Sequence, residues 1–551
     1  MPYEQSPQLK PYPIKDFRLG YNSYSSSKTL IKDGEIPYGK NVWLDDVGSF
    51  TKRPGSVKHG GEIINGKVPR NAAQFRTTGV NELIVACGTL WKKKNGNSWD
   101  TISGLTFTDD LDWDFCQTVG TGGNTSRLYG CNGVDKIAYY NGTTLTEETA
   151  TGLVGDQVVA FNGRLYMTNV TYPDRIYYSN PYGYKAVDAT FNLNSFGTFD
   201  TDLQTGDVLL GTKKNAGYIM LDPGAGTIIK KIKVFSSAGS ASDALYVWTE
   251  RNLWKIVPVA TALSDGSIAH TIQVIVDGKG TTSPKSVIQV GNDVKFYDFD
   301  NIYSLGEQAT YQNIRISALS GRIKSEIDGV ATAGKSKVVM GFFKDRLWFA
   351  YQKGTYNDRV NIWDSRLNAW SPPFEGLNIG WLLDFVESDG THRWLAGSSS
   401  ESYVYELLTG TDDGGLAIES EFETKSLDCG LPGLIKRFGF ADVFYGMLYG
   451  TISYQTFVDE VLAVTGQIQL GNSTSVPSGA GTQPAGTFLA GQEYDPNTTF
   501  STLRQNSSFR IDLGYVAGKR ISTKFINNQT GEQFTINSII YYFLAGDINE
   551  T

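Results

Sequence analysis

Apolar positions along this chain fall in short runs. Each run is followed by a polar turn and then by a second run rich in aromatic residues. Leu-Ile-Val-Ala-Cys-Gly at 83–88 leads into Thr-Leu-Trp-Lys-Lys at 89–93. Arg-Leu-Tyr-Gly at 127–130 leads into Lys-Ile-Ala-Tyr-Tyr-Asn-Gly at 136–142. The same texture returns from residues 164, 244, 293, 346 and 393, as in Ala-Leu-Tyr-Val-Trp at 244–248 before Asn-Leu-Trp-Lys-Ile-Val at 252–257. Runs this short, bounded by Gly, Asn and Asp, predict β-strands joined as hairpins. Most of these starting points lie close to the ~40–50 residues that a four-stranded propeller blade occupies. The interval between 164 and 244 is wider and has room for a weak extra blade around Asp207 and Gly217. The pattern predicts an all-β chain whose main part is a β-propeller of about seven blades, within a range of six to eight.

The flanks read differently. Residues 1–59 predict an N-terminal arm with a Pro-rich, loosely held start. Within the arm, a hairpin turns near Asp46 to Gly48 and stops at Pro54-Gly55. Residues 60–408 hold the propeller repeats. From 409 to 551 the texture changes at Thr-Gly-Thr-Asp-Asp-Gly-Gly (409–415). Strands resume at 416–424, 438–444 and 450–457, then at 508–513, 520–527 and 535–544. These predict a C-terminal antiparallel β-sandwich. A Gly/Ser/Thr/Pro-rich stretch at 470–491 has the composition of a long surface loop.

Composition sharpens this picture. The chain has 551 residues, with 61 Gly, 30 Tyr, 28 Phe and 11 Trp, and only 19% charged residues. Aromatics suit half-buried pleated surfaces and Gly suits tight turns, so many short strands follow. The net charge of −8 argues against binding DNA through its phosphates. The N-terminus lacks the pattern of a signal peptide, and no run approaches ~18 apolar residues, so no membrane span is expected.

Little in the sequence offers chemistry. Cys87, Cys116, Cys131 and Cys429 form no CxxC pair, and His59, His270 and His392 have no ligand spacing. Cys87 reads as a buried structural thiol. Asp109, Asp110, Asp112 and Asp114, and separately Asp298 and Asp300, lack a calcium-loop pattern and read as solvated turns. There is no Gly-x-Ser-x-Gly elbow, Walker loop or sialidase Asp-box. The Gly-rich stretch from Gly120 reads as a blade turn. Trp363-Asp364 with Trp370 resembles the strand end of a kelch blade. Residues 431–438 (Leu-Pro-Gly-Leu-Ile-Lys-Arg-Phe) form a basic spot at a strand entry, open to an acidic partner. No catalytic residue, cofactor or metal site is expected. A carboxylate pair of glycosidase type could still hide among the 57 acidic residues.

One stretch carries a resemblance. Asn41-Val42-Trp43, then Gly48, then Lys52-Arg53-Pro54-Gly55, resembles the N-terminal signature of a family of tailed-bacteriophage virion proteins. The strand around 243–256, the element Glu-Thr-Lys-Ser-Leu-Asp-Cys-Gly at 423–430 and the late strand from Gly518 are similar too. That family includes the nozzle and packaged-DNA-stabilisation proteins of short-tailed phages. The resemblance implies a non-enzymatic β-propeller subunit in the virion tail, made in the host cytoplasm. It implies a homo-hexameric ring that continues the DNA channel below the tail adaptor proteins and helps retain and release the genome. Tail fibres are a further implied neighbour, and genomic DNA would pass without sequence-specific binding. An acidic wall suits that passage, since like charges do not stick. The loop at 470–491 is a candidate gate or fibre contact. Two alternatives stand beside this reading: a carbohydrate- or receptor-binding propeller of the tail, and a propeller glycoside hydrolase.

Overall fold

The computed structural model describes residues 8–24, 28–118, 126–147, 154–179, 217–235, 243–262, 268–291, 293–308, 313–446, 450–470 and 507–545. Within them, seven antiparallel sheets of four or five strands follow one another along the chain, so the fold is an all-β propeller of seven blades. Blade 1 runs through Pro69–Thr77, Val80–Cys87, Leu90–Asn95 and Ser98–Thr101, from the innermost strand outwards. Blades 2 to 6 begin with the inner strands Asp114–Thr118, Val158–Phe161, Ile229–Phe235, Val287–Val290 and Val339–Phe343. Blade 7 takes Ile379–Val386, His392–Ser398 and Val404–Leu407 from the end of the repeat and Ser56–Lys58 from its beginning. Tyr405 pairs with Lys58 and Leu407 with Ser56. That short strand closes the ring by joining its two chain ends in one sheet.

The hairpins predicted from the apolar runs are the two middle strands of each blade. A middle strand has a sheet against each face, so long stretches of it can be apolar or aromatic on both sides. Arg346–Tyr351 shows this, with Leu347, Trp348, Phe349, Ala350 and Tyr351 all buried. Separate clusters of buried residues fill six of the seven blade interfaces. The wide interval after residue 164 holds no further blade among the described residues. Gly217–Met220 is the outer strand of blade 3, paired with Arg175–Tyr178. Asp207 lies outside the described residues, as do the Gly-rich stretch at 120 and, apart from Leu470, the loop at 470–491.

Polar bridges lace the propeller axis. The Lys285 ammonium donates to the carbonyls of Arg70 (2.9 Å) and Gly380 (3.3 Å) and to the Asp112 carboxylate (2.8 Å), so blade 5 is tied to blades 1 and 7. Asp114 of blade 2 meets Lys231 of blade 4 at 2.6 Å and accepts the Val158 N–H of blade 3 at 3.0 Å.

The C-terminal part is a sandwich of two sheets. In one, Ser507–Gly518, Lys436–Tyr445 and Thr535–Ala545 lie side by side. In the other, the order is Val461–Leu470, Gly450–Val458, Ile521–Asn527 and Ser420–Glu423. The strand Val461–Leu470 was not foreseen: its second half, Thr-Gly-Gln-Ile-Gln, blends into the loop composition that follows. Tyr541 reaches across the sandwich to donate to Thr523 Oγ1 at 2.8 Å.

The N-terminal residues do not stand apart as an arm. Lys10–Ile14 pairs with Thr535–Ala545, Tyr12 opposite Tyr541. Pro11 and Pro13 share one parity, so an edge strand can turn both towards its unpaired side. The hairpin Val42–Leu44 with Phe50–Lys52 extends the same sheet, and Tyr38–Lys40 extends the other. One continuous core therefore runs from blades 5 and 6 (Tyr297, Leu347, Phe349) through Phe17, Tyr21 and Phe50 to Phe422, Phe438 and Phe525. No described helix is long and apolar enough to cross a membrane.

Candidate functional site at the propeller–sandwich junction

Five of the signature residues lie close together around one buried knot. Arg53 follows the strand Phe50–Lys52, and its guanidinium is almost fully buried at 2% exposure. It pairs with both carboxylate oxygens of Asp413, one of them at 3.0 Å. It also donates to Asn41 Oδ1 (2.9 Å) and to the carbonyls of Pro54 (3.1 Å) and Glu375 (3.2 Å), and lies 5.6 Å from the Phe374 ring centroid. A buried cation is tolerable only with this density of acceptors.

Asn41 holds the other side of the knot. Its φ of 54° is in the left-handed region, which Asn tolerates better than most residues. Its Nδ2 donates to the Glu419 carbonyl at 2.8 Å, while its Oδ1 also accepts the Glu375 N–H at 2.8 Å. Its backbone pairs with Pro373 and Arg53. Asn41 thus touches the outer part of blade 6 and the entry to the sandwich together. Val42 is fully buried, and Trp43 stacks beneath the Arg346 guanidinium at 4.3 Å.

Lys52, also fully buried, points the opposite way into the sandwich. Its ammonium donates to Asn527 Oδ1 (2.7 Å) and the Gln529 carbonyl (3.0 Å). Burial pushes it down to about 8. Gly55 admits no side chain, because a Cβ there would lie 1.9 Å from the Asp412 carbonyl oxygen. Gly48, at φ +87°, turns the hairpin against the Arg18 side chain. The structure brings Asn41, Lys52, Arg53, Pro54 and Gly55 together and leaves Gly48 at the far end of the hairpin.

Asp413 is the partner that sequence reading missed. It sits 360 positions from Arg53 in the chain, inside a Gly/Asp-rich stretch read only as a boundary. The available signal was the pair Lys52-Arg53 closing a short hairpin directly before Pro-Gly, which gives no indication of where an anion would come from.

The other candidates resolve into local structure. Asp109, Asp110, Asp112 and Asp114 are not merely solvated: they meet Lys67, Arg70, Lys285 and Lys231 respectively. Each carboxylate faces its own cation, Asp109 and Asp110 at the start of blade 1 and Asp112 and Asp114 at Lys285 and Lys231 of blades 5 and 4. Asp298 and Asp300 share Lys279 at 3.3 and 3.5 Å. Trp363 lies opposite Trp370 across a strand pair, and Asp364 is buried against Arg366 and Arg346. The basic spot at 431–438 is half hidden. Lys436 is fully buried and caps the carbonyls of Leu431 (2.8 Å), Leu434 (3.0 Å) and Lys519 (2.8 Å), so its charge is not open to an acidic partner.

His59 lies 3.5 Å from Glu406, His392 is 3.0 Å from Asp384, and His270 meets the Tyr166 hydroxyl at 3.1 Å. The four cysteines are free thiols, and burial pushes Cys87 up to about 11. Among the described residues no group of three or more His, Cys, Asp or Glu could hold a metal ion.

No family model and no curated protein matches this chain. Solved structures similar in fold include BBS1N in complex with ARL6DN. The lead-soaked crystal is 12% identical, with a TM-score of 0.37 over 68% of this chain and 99% of that one. The mercury-soaked crystal is 11% identical, with a TM-score of 0.38 over 66% and 99%. The extracellular domain of the hybrid two component system BT4673 from B. thetaiotaomicron is 12% identical, with a TM-score of 0.33 over 71% of this chain and 43% of that one. The propeller fold follows from the strand pairing itself.

Proposed function

We propose that this chain is a structural subunit of a short-tailed bacteriophage tail: a nozzle-like ring protein that continues the DNA channel and helps retain and release the genome, without catalysis. The observation that carries this reading is the knot at Arg53. The residues that resemble the phage signature are engaged in joining a propeller to a sandwich, so the resemblance is one of architecture. An architectural signature fits a protein whose task is to be a rigid part of a larger assembly. The axial lysines and the acidic linker neutralise one another, which leaves that face of the propeller with little to offer a sugar or phosphate. The net charge of −8 suits a wall past which a duplex slides.

Co-sedimentation with tails tests the proposal. The purified chain, mixed with phage particles stripped of their tail tips, is expected to pellet with them and to leave free glycans unbound on an array. A chain that ignores the particles and binds or cleaves glycans would overturn the reading.

A further inference from the structure

The outer strands of the seven blades differ in a way the propeller itself does not require. Six are short: Ser98–Thr101, Leu145–Glu147, Gly217–Met220, Asn313–Ala318, Ala369–Trp370 and Ser56–Lys58 run from 2 to 6 residues. The outer strand of blade 4, Ile268–Val276, has 9 residues. It pairs on its inner side with Leu253–Ala262, and among the described residues nothing pairs with its other edge. It contains no Asp, Glu, Lys or Arg. Residues 271–274 are exposed on both faces, with Ile272 and Val274 each 41% exposed.

The sandwich carries one edge of the same kind. Val461–Leu470 has 10 residues, also without Asp, Glu, Lys or Arg, and among the described residues pairs only with Gly450–Val458. Val461 is 70% and Leu462 50% exposed. Of the other sandwich edges, Ser507–Gly518 bears Arg510 and Asp512, Tyr38–Lys40 and Val42–Leu44 have 3 residues each, and Lys10–Ile14 carries a lysine and two prolines.

A long, uncharged, β-branched edge is a template for another strand, and soluble proteins normally blunt it with charge, proline or brevity. Among the described residues this chain blunts its other edges and leaves two open, one on each half of the molecule. We propose that these edges are the two sides of one contact: the outer edge of blade 4 in one copy pairs with Val461–Leu470 of the next copy. The occupant is a second copy because each copy then offers one of each edge. The resulting contact is heterologous and head-to-tail, the kind that closes into a ring. Two copies of net charge −8 repel, and the repulsion at contact is least where neither strand is charged. This contact deepens the ring reading above and rests on it.

Cysteine cross-linking tests the pairing. Gln273 and Gln467 are exposed on the two strands, and Cys87, Cys131 and Cys429 are buried. The double variant Gln273→Cys/Gln467→Cys, treated with a short bismaleimide free in solution and on tail particles, is expected to give a ladder of covalent multimers. Each single variant is expected to stay unlinked. Self-linking by Gln273→Cys alone would mean that two outer edges meet, and would overturn the proposal. So would a double variant that stays unlinked in both settings. Wild-type rings with an unlinked double variant would sink the pairing and leave the ring. A ladder from a chain that ignores tails would keep the pairing and sink the tail reading.

Discussion

Replacing Asp413 with Ala leaves the Arg53 guanidinium buried without its anion, and breaking one side of a buried pair costs about 3–5 kcal/mol. Denaturant unfolding of Asp413→Ala should show a loss of that order, whereas a variant of the exposed Asp389 should unfold like the wild type. Gly55→Ala should be destabilised as well, by roughly 1–3 kcal/mol, because the Asp412 carbonyl must move to admit a methyl group. Lys52 adds a pH signature. Its folded-state value is lowered to about 8 from an ordinary 10.5, so between those values the unfolded chain binds more protons. Stability from this group therefore rises with pH across that window and is lost as pH falls through it. The full difference amounts to roughly 3 kcal/mol at ~1.4 kcal/mol per pH unit. The measurement is the wild type against Lys52→Met, which isolates the contribution of this one group. The variant's stability should lack the rise.

At the scale of elements, the middle hairpin of each blade was legible because both its faces are buried. Runs such as Leu347 to Tyr351 have no polar side to dilute the signal. Inner strands were harder to read. Asp114–Thr118 is only half buried for most of its length, since its axial face carries polar groups. The closing strand Ser56–Lys58 was invisible, because its partner Val404–Leu407 lies at the far end of the repeat and three residues carry no period. The same limit hid Asp413. Long-range pairs leave no local spacing, so Asn41 to Gly55 could be singled out as a signature but not seen as a knot. Opening the closure tests its weight. A chain beginning at Gly60 would lose the fourth strand of blade 7 and the N-terminal strands of both sandwich sheets. Its expected behaviour is insolubility, or a broad melt by circular dichroism in place of a sharp one. A sharp melt at the wild-type temperature would show that the N-terminal strands are dispensable.

At the scale of the whole molecule, the core that runs from blades 5 and 6 into the sandwich makes the two halves one cooperative body. Calorimetry should give a single transition for the wild type. Phe17 packs against Phe50 and Phe422, with ring centroids 5.5 and 5.7 Å away. Phe17→Ala should cost about 3–5 kcal/mol and separate the melting of sandwich and propeller. The acidic balance makes a further claim: random-sequence duplex DNA should show no retardation by the chain at physiological salt. The central claim, a structural ring subunit of a phage tail, is tested most directly by native mass and negative-stain imaging of the purified protein, alone and after mixing with disrupted tails. The expected result is a closed ring of about six copies with a central hole, formed in solution or on the tail. A monomer that leaves tails bare at every concentration would contradict it.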